Sequence, residues 1–159
     1  MRSIVLVAML FAAAASASEM RYPAAGAPAV IVKVPDGWTA KEAEGKFLAA
    51  SADGTTTLTI AIVPYTGTLD ALATETLAAS GIAVAPTLDD RHGVSFFDLN
   101  REGYWWPLEG AGPGGKMVAF ADLMLADGKA LTGLMISPDR DGPGFHAGLH
   151  MLDGLKPAP

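Results

Sequence analysis

Residues 46–64, KFLAASADGTTTLTIAIVP, contain the pattern that decides the fold class. Two β-prone runs, residues 46–52 and 55–64, flank Asp53-Gly54, and the second run alternates apolar side chains with small or polar ones. A period of two indicates a half-buried strand. Asp-Gly between two such runs is typical of a two-residue hairpin, in which the glycine takes a positive φ. The stretch therefore predicts an antiparallel hairpin with a type I′ turn at Gly54.

Further strands are indicated on both sides of this hairpin. Upstream, the β-branched run 29–34 stops at Pro35-Asp36-Gly37, whose proline and glycine favour a turn. Downstream, four more runs have strand composition and are residues 94–99, 104–108, 117–126 and 129–137. The last two flank Asp127-Gly128, which is a second hairpin signal. Strands joined by short turns predict a mainly antiparallel sheet.

Two segments have helical rather than strand periodicity. The first begins at Thr68, a residue type favoured at helix N-caps, and reaches about residue 80, where Gly81 is placed to terminate it. The second ends near Gly154. Its apolar face is formed by Phe145, Leu149 and Leu152. Two helices that bury apolar faces against a mainly antiparallel sheet predict an α+β domain.

The N-terminal residues have the pattern of a signal peptide for export. Met1-Arg2-Ser3 gives a positive start, residues 4–14 are apolar, and Ala15-Ser16-Ala17 has the small-x-small form of a cleavage site. We expect residues 1–17 to be removed, 18–28 to be a flexible leader and 29–157 to form one domain. The apolar run is shorter than the ~20 residues that a membrane span needs. The sequence predicts a periplasmic or secreted protein that does not span the membrane.

The composition restricts the partners of the mature chain. Lys and Arg total 11 against 17 Asp and Glu, the net charge is −6, and the basic residues form no cluster along the sequence. From this charge we expect neither nucleic acid nor anionic lipid to be a partner. The chain has no cysteine, so it forms no disulfide. We expect a monomer without a cofactor, and a partner that is a periplasmic protein or a small ligand.

Several short motifs resemble a known family of secreted proteins. They are Val34-Pro35-Asp36-Gly37-Trp38, the hairpin around Asp53-Gly54, Val63-Pro64, Thr68-Leu69 and the closing Leu152-Asp153-Gly154-Leu155-Lys156-Pro157. Together they resemble the PsbP-like group, which includes DcrB-like small periplasmic proteins, and the resemblance covers residues 29–157. It implies an α/β/α sandwich around an antiparallel sheet. It also implies a non-enzymatic accessory or binding role, with no catalytic residues to carry over.

The strongest candidate for ligand binding is the aromatic run Tyr104-Trp105-Trp106, since tryptophan and tyrosine often anchor binding surfaces. Neighbouring strand residues point to opposite faces of the sheet, so Trp105 lies on one face and Tyr104 and Trp106 lie on the other. If helices cover both faces, all three are core residues. If one face is open, one or two of them lie beside Glu109, Lys116 and the loop 109–115 and form a groove for a peptide or a small apolar ligand.

That loop also matches part of a phosphate-binding motif. Residues 110–116, GAGPGGK, satisfy G-x-x-x-x-G-K, but Met117 stands where Ser or Thr would hold magnesium. A strand, rather than a helix, is predicted after Lys116, so no helix N-terminus faces the loop. The sequence therefore indicates a flexible glycine-rich connection rather than a nucleotide site.

Two other residue sets offer alternative functions. His146 and His150 lie four residues apart on the final helix with Asp153 one turn later, which could present ligands to zinc or copper, or could be a solvated helix flank. His92 follows Asp89-Asp90-Arg91 and could act as a general base in a hydrolase. The chain has no cysteine and no G-x-S-x-G nucleophile motif, however. We therefore predict a non-enzymatic binding protein, with a metal-binding protein as the first alternative and a hydrolase as the second.

Overall fold

The computed structural model describes residues 17–80, 82 and 92–159. The predicted strands and helices occur in the predicted order, together with three strands that the sequence did not indicate, Ser18–Tyr22, Thr39–Ala43 and Lys156–Pro157. The strands are Ser18–Tyr22 (β1), Val30–Val34 (β2), Thr39–Ala43 (β3), Lys46–Ala50 (β4), Thr57–Pro64 (β5), His92–Phe96 (β6), Arg101–Leu108 (β7), Met117–Met124 (β8), Lys129–Ser137 (β9) and Lys156–Pro157 (β10). The helices are Leu69–Ala79 (α1) and Pro143–Asp153 (α2).

A seven-stranded sheet in the order β3-β4-β5-β9-β8-β7-β6 forms the centre of the fold. Its neighbouring strands pair antiparallel, and Phe47 lies opposite Ile60 in the β4–β5 pair. The predicted hairpin and the α+β class with a mainly antiparallel sheet are therefore confirmed. Thr68 caps α1 by accepting a hydrogen bond from the backbone N–H of Ala71, as its residue type predicted. The predicted terminator Gly81 lies outside the described residues.

The turn at Asp53-Gly54 differs from the prediction of a two-residue type I′ turn. Gly54 has the expected positive φ, +68°, but its N–H donates to the carbonyl of Ser51 in a wider loop that ends at Thr56. The Asp53 carboxylate stabilises this loop, because it accepts hydrogen bonds from the Ser51 hydroxyl and from the N–H and hydroxyl of Thr55. These bonds lower the pKa of Asp53 to about 2.

The two-residue turn lies one hairpin earlier in the chain. Glu44 and Gly45 have φ of 54° and 70°, and they connect Ala43 of β3 directly to its partner Lys46 of β4. Positive φ at both central residues is what a type I′ turn requires. Glutamate rarely adopts this conformation, so the sequence did not indicate the turn.

The prediction of a flexible leader is wrong for residues 18–22. These residues form β1, which pairs antiparallel with β2 in a second sheet of order β1-β2-β10. Tyr22 explains why the segment is ordered, because its side chain is only 1% exposed and its hydroxyl donates to the carbonyl of Gly45 at 2.6 Å. The ordered domain of the described chain thus includes the residues before Ala29.

The helices pack on opposite faces of the seven-stranded sheet. On one face, α2 and the smaller sheet share a core with Phe47, Ile60 and Leu131. On the other, Ala73 and Leu77 of α1 cover residues of β7 and β8, which are Trp106, Val118 and Phe120. Strand alternation places these two sets of side chains on opposite sides.

The buried face of α2 differs in one position from the predicted stripe. Phe145 and Leu152 are buried as predicted, but Leu149 is only partly buried, and Met151 takes its place in the core. Gly148 is also buried, and a Cβ added there would clash with the sulfur of Met135. The absence of a side chain at Gly148 therefore lets α2 lie close to β9.

Candidate functional site

The three aromatic residues of β7 alternate across the sheet as predicted. Tyr104 and Trp106 meet edge to face at 5.8 Å on the α1 side, while Trp105 lies 6.0 Å from Phe145 of α2 on the other side. Trp106 is fully buried, whereas Tyr104 and Trp105 are half-buried. Trp106 therefore contributes no accessible surface to a binding groove in this conformation.

The loop that follows β7 is closed by its own hydrogen bonds. The N–H of Gly112 donates to the carbonyl of Lys116 at 2.8 Å, and the N–H of Gly115 donates to the carbonyl of Gly112 at 3.1 Å. Pro113–Gly115 form a short 3-10 turn, Glu109 is exposed and Lys116 is half-buried. Because these N–H groups are already bonded and a strand follows, the loop does not form a cradle for phosphate.

The predicted metal ligands all lie on the exposed side of α2. His150 and Asp153 are close enough to interact electrostatically, and burial raises the pKa of Asp153 while His150 opposes that rise. The ring of His146 contacts Phe145 instead, at 5.9 Å. Within residues 17–80, 82 and 92–159, no group of three or more His, Asp or Glu residues is placed to hold a metal ion.

His92, the candidate general base, lies on the edge strand β6. It is exposed and pairs with Trp105 of β7. Its predicted neighbours Asp89, Asp90 and Arg91 lie outside the described residues.

A groove that the sequence did not indicate lies between α2 and the three-stranded sheet. Its volume is about 360 Å³. It is lined by Glu19, Ile31, Lys33, Pro35, Ala147, His150, Met151, Gly154 and Lys156. The apolar side chains of Ile31 and Met151 contribute to its floor, whereas the ionisable side chains stand at its rim. We call this feature the α2 groove.

The pattern of β2 explains how the α2 groove forms. Val30, Val32 and Val34 point into the core, so that Ile31 and Lys33 point to the other side of the strand. β10 then pairs with β2 and places Lys156 opposite Ile31. Two lysines that are far apart in sequence thus stand at one groove, which is why no basic cluster was visible along the chain.

Two other depressions differ from the α2 groove in the side chains that line them. One, of about 510 Å³, lies on β3, β4 and β5, and it is lined by alanines, threonines, Lys41 and two leucines. The other, of about 500 Å³, lies at the N-terminus of α2 beside the buried Trp38. Three carboxylates line that second depression, from Asp36, Asp53 and Asp139. They disfavour an anion at the helix N-terminus.

The comparisons with known proteins identify a structural relative but no family. No family model matches the chain, and no curated protein matches it either. Neither helix of the described segments is long and apolar enough to cross a membrane. Among solved structures, the chain is similar to LpqN of Mycobacterium tuberculosis, a protein involved in cell envelope biogenesis. The TM-score is 0.54 at 13% sequence identity, over 90% of this chain and 92% of that chain. At this identity the similarity shows a shared fold.

Proposed function

We propose that this protein is a non-enzymatic accessory protein of the cell envelope that binds a small anionic amphiphile in the α2 groove. The observation that carries the proposal is the composition of the groove, which combines an apolar floor with a basic rim. The protein acts as an exported monomer, and the ligand is a single molecule with an apolar chain and a carboxylate or phosphate group.

The size and lining of the α2 groove support binding of one small molecule. Pockets for small ligands have volumes of about 300–1,000 Å³ and combine apolar walls with a few polar groups that fix orientation. The groove, at about 360 Å³, lies at the lower end of this range. Ile31 of β2 and Ala147 of α2 are both lining residues, so the sheet and the helix each contribute apolar surface to the groove. An apolar chain bound there would remove this surface from water.

The charges at the rim favour an anionic head group. Lys33 and Lys156 line the groove together with His150, against one carboxylate, that of Glu19. Glu19 lies opposite Lys33 in the β1–β2 register, so its charge offsets that lysine. The positive charge of Lys156 is left in excess, in a protein whose net charge is −6. The groove is therefore a local basic region on an acidic protein.

The location and the non-enzymatic role rest on independent observations. The N-terminal pattern ending in Ala15-Ser16-Ala17 is that of an exported protein, and β1 begins at the next residue, Ser18. The similarity to an envelope protein of the same fold and the PsbP-like motifs agree with an accessory role outside the cytoplasm. The α2 groove contains His150 but no serine, threonine or cysteine that it could activate as a nucleophile.

Calorimetric titration of the mature protein with decanoate tests the proposal. Decanoate should bind with one molecule per chain, and decyltrimethylammonium, with the same chain and the opposite charge, should bind at least about tenfold more weakly because it meets Lys33 and Lys156. If both amphiphiles bind equally, the proposed charge selection is wrong. If neither binds, the proposed ligand class is wrong.

Variants of the α2 groove locate the site. Ala147→Phe should fill the groove, and the double change Lys33→Glu with Lys156→Glu should reverse its rim charge, so each should weaken decanoate binding about tenfold or more. Control variants lie in the depression on β3, β4 and β5, where Ala50→Phe adds the same bulk and Lys41→Glu reverses the charge of one lysine, and both should leave binding unchanged. Loss of binding in the controls, with binding kept in the groove variants, would move the site to the sheet.

A further inference from the structure

Asp122 is a buried acid in the middle of β8, whose other residues are apolar. Its side chain lies under α1, where Oδ1 accepts a hydrogen bond of 3.3 Å from the Thr76 hydroxyl. Its other oxygen, Oδ2, is buried and has no hydrogen-bond partner among the described residues. A carboxylate in this position would carry a charge with little solvation, so the neutral acid is the form that the site accommodates.

The indole N–H of Trp106 lies on the same face of the sheet and is also buried without an acceptor among the described residues. Trp106 and Asp122 are on neighbouring strands and both lie beneath α1. Two unsatisfied buried polar groups under one helix lower the free energy cost of lifting that helix, because both groups gain hydrogen bonds to water when it opens.

The groups that face Asp122 provide no nearby positive charge in the described structure. They are Thr76, Glu75 and Asp70 of α1, Tyr65 before α1, Tyr104 and Glu102 of β7, and Thr132 of β9. Across the sheet, Asp122 of β8 is paired with Thr132 of β9, which is paired with Ala61 of β5. Ala61 is paired with Lys46 of β4, so this lysine lies three strands from Asp122. That separation is about 14 Å at the usual strand spacing. Ionised Asp122 would therefore be a buried charge whose Oδ2 has no hydrogen-bond donor among the described residues.

Helix α1 is attached to the rest of the fold by modest contacts. Its buried residues are Leu72, Ala73 and Leu77. Hydroxyl–carboxyl hydrogen bonds supplement them, from Tyr104 to Asp70 at 2.5 Å and from Tyr65 to Glu75 at 3.3 Å, in addition to the Thr76–Asp122 bond. Because these contacts are few, a charge on Asp122 can shift the equilibrium of α1 from the docked to the open state.

We propose that α1 is a pH-responsive cover of the sheet, which stays docked while Asp122 is protonated and opens locally once Asp122 ionises. Opening exposes Trp106 and Phe120, which adjoin the partly exposed Leu134 on the same face. The α2 groove lies on the other face of the sheet, so this device is independent of the proposed ligand binding.

The direction of the effect follows from the burial of Asp122. Burial raises its pKa from 3.8 to about 7, and the Thr76 hydrogen bond opposes that rise. Opening of α1 returns the carboxyl to water and to its ordinary pKa, so opening is coupled to loss of a proton. The equilibrium constant for opening of α1 therefore rises by up to about tenfold per pH unit between about pH 4 and about pH 7, and it is constant at higher pH.

Hydrogen exchange measured by mass spectrometry tests this proposal on the whole mature protein. Exchange should be expressed as protection factors, because intrinsic amide exchange also depends on pH. Between pH 5 and pH 8 the protection of α1 relative to α2 should fall by tens of fold in the wild type. Asp122→Asn, which keeps the shape of the side chain and removes its charge, should abolish this fall. An unchanged pH profile in Asp122→Asn, or no fall in the wild type, would overturn the proposal.

A second variant keeps the test decisive if Asp122→Asn does not fold. Thr76→Val removes the hydrogen bond that favours ionised Asp122, so the pH at which α1 loses protection should rise. Asp36→Asn changes an exposed acid in the turn after β2 and serves as the control, with a wild-type profile. If Thr76→Val moved the transition to lower pH, Asp122 would not be the group that titrates.

Discussion

Replacement of Asp122 by asparagine should change how the stability of the whole protein depends on pH. Burial raises the pKa of Asp122 from 3.8 to about 7, so the native state binds a proton more tightly than the unfolded state does. The stabilising effect of that proton is complete below the unfolded pKa and is lost as pH rises through the native pKa. At 1.36 kcal/mol per pKa unit, the complete loss is about 4 kcal/mol.

The measurable effect lies between pH 5 and pH 8, where most carboxyl groups remain ionised. Over this interval the wild type should lose about 2–3 kcal/mol of unfolding free energy because of Asp122, and the asparagine variant should lose none of that amount. Urea unfolding of both proteins at several pH values, followed by tryptophan fluorescence, gives the difference between them. That difference should increase steadily with pH in favour of Asp122→Asn and level off above pH 7.

The shape of this curve is what tests the reasoning. A constant difference between wild type and variant from pH 5 to pH 8 would show that the native state does not raise the pKa of Asp122, and it would refute the reasoning. A pKa lowered by a nearby cation would also leave the difference constant over this interval, because the carboxyl would then be ionised in both states. The variant Asp36→Asn, which changes an exposed acid in the turn after β2, provides the control.

Three further predictions concern α2. Met151→Ala should lower the unfolding free energy measured in urea by about 2–4 kcal/mol because Met151 is fully buried. Leu149→Ala should lower it clearly less because Leu149 is only partly buried, and the reverse order would contradict the observed orientation of α2. Gly148→Ala should lower the melting temperature, because the added methyl group overpacks the contact with Met135 at a free energy cost of about 1–3 kcal/mol. This cost should exceed the gain from the higher helix propensity of alanine. Micromolar zinc should raise the melting temperature of the wild type no more than that of the double variant His146→Ala with His150→Ala, and a larger rise in the wild type would support the metal-binding alternative.

The elements with strong local signals could be predicted from the sequence. The alternation before Pro64, the cap at Thr68 and the apolar spacing around Phe145 each fix one element through interactions within a few residues. β1 could not be identified in this way, because it is held by pairing with β2 and by the distant contact of Tyr22 with Gly45. Only the alternation of Met20 and Tyr22 hinted at a strand, in a segment otherwise rich in glycine, alanine and proline.

The candidate site was harder to predict than the fold because it depends on pairings between distant strands. Lys33 and Lys156 both line the α2 groove only because β10 pairs with β2, and no local sequence pattern predicts that pairing. The aromatic run of β7 was a conspicuous local signal, yet its alternation directs Trp106 into the core. Asp122 is the opposite case, since an acid within the apolar run of β8 was visible in the sequence but its missing partner was not.

The two helices differ in how they are attached, and this difference would separate the proposed ligand binding from the proposed response to pH. α2 lies close to β9 because Gly148 has no side chain, and it buries Phe145, Met151 and Leu152 in the main core. Lifting it would expose large apolar side chains, so the wall of the α2 groove is a fixed element. α1 buries smaller residues over the polar group Asp122, and lifting it costs less. Ligand affinity at the groove should therefore depend on the charges of its own rim, while the exposure of the opposite sheet face depends on the protonation of one buried acid.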